Sequence, residues 1–362
     1  MKYGRNRIRH ITMQTQKIDF AAVQQAFLAA GFDLVGVTDC SPLTGARLAR
    51  WLARGYAADM EWIGRSFRSR VDPRRLLPGC RSIVVAAAAY EPGRPPTDSS
   101  PGKYAVIASY ALGPDYHRIL RRRCREAVTQ LQRTSGQPQK FRIAVDSGPV
   151  LEQEIAVRVG LGVIGRNSLL LTPSFGSYVL LAEVLMDTWV KAPEQKPPSR
   201  HICLDCRKCV QACPTHALTE EGLVDSRRCI SYLTIEHRGP IPEPLRPLLG
   251  THVFGCDICQ EVCPANRVRS APRAPFLPGS PAESRYPSFQ ELLRMSPEGF
   301  KEKFRGTPVA RTGYQRFMRN VCVAAGNSGD RSLKPLLESL LSRRGDDPLI
   351  REHAEWALEI LG

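Results

Sequence analysis

The 362-residue sequence predicts an α+β protein in three parts, and three observations carry that prediction. Residues 18–190 alternate between helix-period and strand-period runs. Eight of the twelve cysteines fall between Cys203 and Cys263, in metal-ligand spacing. Residues 288–362 have a helical pattern.

The elements follow in order. Residues 1–17, MKYGRNRIRHITMQTQK, are basic and acid-free, with neither an apolar signal core nor a twin-Arg pair. They read as a disordered arm, with a second start available at Met13. IDFAAVQQAFLAA (18–30) is a helix stopped by Gly31, and GFDLVGVTD is a strand. RSIVVAAAAY is a second strand, ending in the Pro-, Gly- and Ser-rich loop EPGRPPTDSSPGK. FRIAVD is a strand, PVLEQEIAVRVG a helix and GSYVLLAEVL a strand, which completes one mixed domain. VKAPEQKPPSR is a linker, residues 200–266 hold the cysteine module, and a second linker spans 267–287. The tail reads as the helices RTGYQRFMRNVCVAAG, SLKPLLESLLS and DPLIREHAEWALEIL, the last capped by Asp347 with Pro348 at its first position. Two short helices after a longer one suggest a HEAT-like unit.

The chain carries 51 Lys and Arg against 35 Asp and Glu, a net charge of +16, which suits a polyanionic partner, nucleic acid in particular. No apolar run reaches the roughly 20 residues that span a bilayer, so no membrane role is expected. Thiolates in ligand spacing argue for a reducing cytoplasm rather than disulfides. Cys40, Cys80, Cys124 and Cys322 read as ordinary buried or half-buried residues.

CLDCRKCVQACP (203–214) is the Cys-x2-Cys-x2-Cys-x3-Cys-Pro run of a bacterial ferredoxin-type module, and CDICQEVCP partly repeats it. In two-cluster ferredoxins the fourth cysteine of each run ligates the other cluster. Cys203, Cys206, Cys209 and Cys263 then hold one [4Fe–4S] cluster. Cys213, Cys256 and Cys259 serve the second, which lacks a ligand because the regular position is Val253. Cys229 is the remaining cysteine of the module and completes the set. A pair of zinc sites, which prefer cysteine pairs, fits the Pro-terminated run poorly.

Three further signals bear on function. GLGVIG (160–165) matches the dinucleotide fingerprint, but a helix precedes it and a strand follows, the reverse of what phosphate binding at a helix N-terminus needs. Its glycines still suggest a backbone that something large approaches. Asp146, in IAVDSGPVLEQE, stands between a strand and a helix, where it is either a helix cap or an acid facing a cleft. RILRRRCR (118–125), GRSFRSRVDPRRLLPGCR (64–81) and KEKFRGTPVARTGYQRFMRN (301–320) suit phosphate contacts, with stacking open to Tyr314 or Phe317.

Taken together, YALGPDYH, VDSGPVLEQEIAVRVGLGVIGRNSLLL, the two cysteine runs, RCISYLTIEHRGPIPEPLRPLLGTHVFG and FRGTPVAR…RN make a chain that closely resembles the tRNA epoxyqueuosine reductases. The resemblance implies a nitroreductase-like, cobalamin-binding domain over 18–190 and a ferredoxin-like module with two [4Fe–4S] clusters over 200–266. It also implies a HEAT-like, tRNA-contacting region over 288–362. The activity implied is reduction of epoxyqueuosine to queuosine at the wobble position of tRNA by cobalamin, itself reduced through the clusters from an external low-potential donor. A monomer is expected. By resemblance Asp146 is the proton donor, with a pKa raised by burial against the corrin. The expected cobalamin contacts are Arg70, Tyr110, Asp146, Leu170, Leu181, Ser231 and Asp257. Three rivals share the cluster signature: a cobalamin-dependent dehalogenase acting on a small substrate, an electron carrier feeding a corrinoid partner, and an RNA-binding protein with structural clusters.

Overall fold

Four strands, β1 (Leu34–Asp39), β2 (Ser82–Ala89), β3 (Phe141–Ala144) and β4 (Val179–Met186), form a sheet of order β1-β2-β4-β3, antiparallel at every pairing. The structure, a computed structural model, describes residues 17–362 apart from 94–101, 137–138, 193–202, 204, 268 and 274–284. The arm expected over 1–17, the two linkers and the loop over 91–103 therefore lie largely or wholly outside the described residues.

β2 is buried at all of its positions, which explains its unbroken Val and Ala run: a central strand covered on both faces needs apolar residues on each. Val84, Ala86 and Ala88 meet helices α1 (Phe20–Ala29) and α2 (Tyr116–Ser135). Ile83, Val85 and Ala87 meet the face covered by α3 (Glu152–Arg158). Asp115 caps α2 by accepting from the His117 N–H, and Gly136 ends it in the left-handed conformation.

After α3 comes the glycine turn, then a two-residue strand, Val163–Ile164, paired with Leu170–Leu171. The inverted context of GLGVIG is thus confirmed. Its close neighbour, however, is the chain itself: a Cβ on Gly162 would lie 2.4 Å from the Leu171 carbonyl oxygen, so the glycine admits a strand and not a large ligand. Cys40 and Cys80, expected to be ordinary cysteines, are paired as a disulfide between the end of β1 and the start of β2. That pairing depends on antiparallel strand register, which cysteine spacing does not reveal.

The cysteine module and the tail share one core. Ile230, Leu233, Val253 and Phe254 pack with Phe317, Val321 and Leu337. The tail helices are α5 (Tyr314–Ser328), α6 (Lys334–Arg344) and α7 (Pro348–Leu361), and Asp347 caps α7 by accepting from the Leu349 and Ile350 N–H groups. Arg319 of α5 is fully buried and donates to the carbonyls of Leu233, His237 and Gly239. Asn320 donates to the carbonyls of Thr234 and Val253. Two residues of a basic segment thus hold helix α4 (Ile230–Ile235), which follows Cys229, against the tail. Phe317 is buried and so is not placed to stack on a base, while half-buried Tyr314 donates its hydroxyl to the Met295 carbonyl.

Candidate active site

β3 ends at Ala144, and α3 starts only at Glu152, with Leu151 at its N-cap position. Asp146 therefore does not cap the helix. It sits in the intervening loop at φ +50, a conformation that costs energy for a non-glycine residue and points to a fixed role for its side chain. A Cβ on Gly148 would lie 2.7 Å from the Ala144 Cβ, so the loop folds tightly back over the strand end.

The first turn of α2 supplies the partners of Asp146. Tyr116 donates its hydroxyl to Asp146 Oδ2 at 2.6 Å, and His117 Nε2 lies 3.0 Å from the same oxygen. The other His117 nitrogen faces Asp115 Oδ1 at 2.7 Å. Arg311, from the tail, brings its Nη1 within 2.9 Å of His117 Nε2. Burial pushes the Asp146 carboxyl up, but the hydrogen bonds from His117 and Tyr116, with the charges of His117 and Arg311, outweigh it and hold the group below its ordinary range. This depression comes from the protein's own groups and leaves untouched the rise expected from burial against the corrin. The cause of the depression is a cage of donors contributed by residues far from Asp146 in the chain.

Although protein surrounds it, the Asp146 side chain is 54% exposed, because it faces a cavity of about 460 Å³. Cys213, Cys229, Cys256 and Cys259 line the same cavity. The other four cysteines, Cys203, Cys206, Cys209 and Cys263, line a separate small void beside Asn167 and Pro264. The fold therefore sorts the eight cysteines into the two sets that ligand spacing predicts, Cys229 included.

Of the expected cobalamin contacts, Tyr110, Asp146, Ser231 and Asp257 line the cavity. Leu170 and Leu181 instead join the core beneath α3, and their neighbours Leu169 and Leu180 reach the cavity. Strand alternation puts neighbouring side chains on opposite faces. Arg70 does not line the cavity; its Nη1 donates to the Val150 carbonyl at 3.3 Å, in the Asp146 loop. Sequence reasoning did not single out Tyr116, His117 or Arg311, although each lies in a segment that carried the resemblance. Their importance appears only when α2, the loop and the tail converge.

Two four-cysteine sets, one of them beside an apolar cavity with an ionisable acid, define an iron–sulfur oxidoreductase. A family model described as a 4Fe-4S double cluster binding domain matches residues 202–266, and one described as epoxyqueuosine reductase QueG, DUF1730, matches residues 70–147. The epoxyqueuosine reductase of Pseudomonas aeruginosa is 40% identical over 333 residues, covering 91% of this chain and 90% of that one. The Escherichia coli enzyme is 38% identical over 341 residues, 93% and 88% of the two chains. A crystal structure of epoxyqueuosine reductase with an epoxyqueuosine-modified tRNA-Tyr stem loop superposes with a TM-score of 0.85 at 30% identity, covering 94% of this chain and 90% of that one. The Bacillus subtilis enzyme, solved with an aspartate-bearing catalytic loop swung out of the active site, gives a TM-score of 0.80 at 30% identity, with coverages of 94% and 90%.

The chain belongs to the epoxyqueuosine reductase family, and it is an oxidoreductase. Its cofactors are two [4Fe–4S] clusters and cobalamin. The residues present fit the latter: the cavity has largely apolar walls from Val179, Leu180 and Ile258, it borders one cysteine set, and it holds an acid.

Proposed function

We propose that Asp146 is the acid of the reaction this chain carries out, the reduction of epoxyqueuosine to queuosine on tRNA. One observation carries the proposal: Asp146 and the cysteines of one cluster set line the same cavity. The reaction converts an epoxide to a carbon–carbon double bond and water, and it consumes two electrons and two protons. Bound cobalamin supplies the low-potential electrons that open the epoxide.

The protein's own part is to position groups and move protons. Cys203, Cys206, Cys209 and Cys263 would hold one cluster, which would supply single-electron transfer from an external donor. Cys213, Cys229, Cys256 and Cys259 hold the cluster beside the cavity. Tyr110, Ser231 and Asp257 bind the corrin, and Arg70 steadies the Asp146 loop through Val150. Filling the cavity removes the water that Asp146 faces, which moves its carboxyl toward the protonated form. Tyr116 and His117 fix its direction, so that the proton is aimed where charge develops on the departing oxygen. By the same reading residues 18–190 are the nitroreductase-like domain, 200–266 the ferredoxin-like module and 288–362 a HEAT-like region. Exposed Arg65, Arg68, Arg118, Arg122 and Arg125 suit tRNA phosphates.

Anaerobic turnover of epoxyqueuosine-containing tRNA, with clusters and cobalamin loaded and a strong reductant present, tests the reading. Nucleosides from the digested tRNA should lose one oxygen only when cobalamin is added. Equal loss without cobalamin, or none with every cofactor verified spectroscopically, would refute it.

A further inference from the structure

Two protons must reach one oxygen, and a single carboxylic acid delivers one before it needs reloading. Near Asp146, but not lining the cavity, stand two more carboxyls. Glu152 opens α3, one helical turn before the fully buried Ile155 and Ala156, so its side chain shares the face that α3 lays on the sheet. Its carboxyl faces the Asp146 backbone N–H, and among the described residues its Oε2 is buried without a hydrogen-bond partner. Glu183 lies mid-strand in β4, paired to Ala144 on one side and Val85 on the other, on the same face as Leu181 and Leu185 beneath α3. It is completely buried, and among the described residues neither carboxyl oxygen has a partner.

We propose that Glu152 and Glu183 form a buried acid chain that reloads Asp146 and so supplies the second proton of the reaction. The inference rests on Asp146 as the proton donor. Two C–O bonds break and one carbon–carbon π bond forms, with two electrons arriving singly through the clusters from an external one-electron donor. Asp146 gives the oxygen its first proton and becomes a carboxylate. Glu152 passes its proton to Asp146, Glu183 passes its own to Glu152, and the second proton then leaves Asp146 with the oxygen as water. Solvent protons restore the chain between turnovers.

Each transfer toward Asp146 is uphill in itself and is drawn by the departing oxygen, which is more basic than any carboxylate, so the chain keeps its protons until Asp146 has given up its own. Arg70, His117, Tyr116 and Arg311 stand at the Asp146 end. Cys124 of α2 is the ionisable group facing Glu183 from across the sheet, and Glu152 and Asp146 face it from the α3 side. Burial first, and the neighbouring carboxylates second, push Glu183 well up. Burial, then the charge of Asp146, pushes Glu152 up to about 8. Both thus hold protons near neutral pH while Asp146 is the stronger acid, a division of roles that like charges sharing a site produce.

Infrared spectroscopy of the cluster-loaded, cobalamin-free protein reads the resting state without catalysis. The carboxylic-acid carbonyl band at pH 7 should lose intensity in Glu183→Gln and again in Glu152→Gln. Glutamate labelled with carbon-13 should shift that band in the unsubstituted protein, which covers a variant that fails to fold. In the loaded enzyme Glu152→Gln should lower kcat about tenfold or more, leave the KM for tRNA unchanged and move the pH–rate profile, with Glu152→Asp restoring much of the loss. Absence of a labelled carboxylic-acid band, or a Glu152→Gln enzyme with the parent kcat and pH profile, overturns the acid chain. Full turnover by Asp146→Asn alongside an intact band would instead overturn the role of Asp146 itself.

Discussion

Arg319→Met removes a guanidinium that no solvent reaches, and it should destabilise the protein without touching tRNA. Methionine replaces the aliphatic stem, but the carbonyls of Leu233, His237 and Gly239 lose their donors. Leaving a buried acceptor unsatisfied costs about 1–3 kcal/mol, and relief of the guanidinium's own desolvation offsets part of the sum, so about 4 kcal/mol is expected. With 362 residues at about 2.1 cal/mol/K each, the unfolding entropy is about 0.76 kcal/mol/K, and Tm should fall by about 5 °C if the chain melts as one unit. Circular dichroism of the cluster-loaded protein measures this. Because α4 follows Cys229, iron should also be lost faster to a chelator, while tRNA affinity and its salt dependence stay unchanged. A Tm within about 1 °C of the parent, or a salt slope reduced by about one unit, would show that Arg319 contacts phosphate and is not the clamp described.

Other predictions follow from the same geometry. Cys229→Ser should lower bound iron from about eight to about four atoms per chain and remove the electron paramagnetic resonance signal of one reduced cluster. Asn320→Ala should lower Tm, because it frees two buried carbonyls, those of Thr234 and Val253. Stability should also respond to Glu152, whose folded pKa of about 8 lies above its unfolded value near 4.5. As pH rises, the unfolded chain releases this proton first, so the stabilisation is complete below about pH 4.5 and lost as pH climbs to 8. Denaturant titrations from pH 5 to 8 should show a decline on the order of a few kcal/mol that Glu152→Gln flattens; an identical slope in the variant would contradict the burial of that carboxyl.

What the sequence made legible divides along physical lines. Strands, helices and the α7 cap could be read because periodicity and capping are local, and the grouping of the cysteines because a bound cluster would impose its spacing on the chain. Cys229 could be placed with Cys213, Cys256 and Cys259 because two four-ligand clusters call for eight cysteines. The side chains of Leu170 and Leu181 turn into the core while those of Leu169 and Leu180 reach the cavity, a choice of face that periodicity does not settle for a short strand. The basic tail misled in the opposite way: composition counts Arg319 as charge, whereas the fold spends it as a buried donor. The donor cage around Asp146 and the acids near it come from α2, α3, β4 and the tail, so only tertiary structure brings them together. The depressed Asp146 carboxyl is a property of that assembly, which the strand-end position alone does not reveal.

The central claim is that Asp146 delivers the proton, and Asp146→Ala tests it most directly. The variant should be loaded with both clusters and cobalamin, shown to bind epoxyqueuosine-containing tRNA, and assayed anaerobically by mass spectrometry of the released nucleosides. The account predicts unchanged cofactor content and tRNA binding, with conversion to queuosine lowered at least about a hundredfold. Conversion at the parent rate, with cobalamin bound, would contradict it.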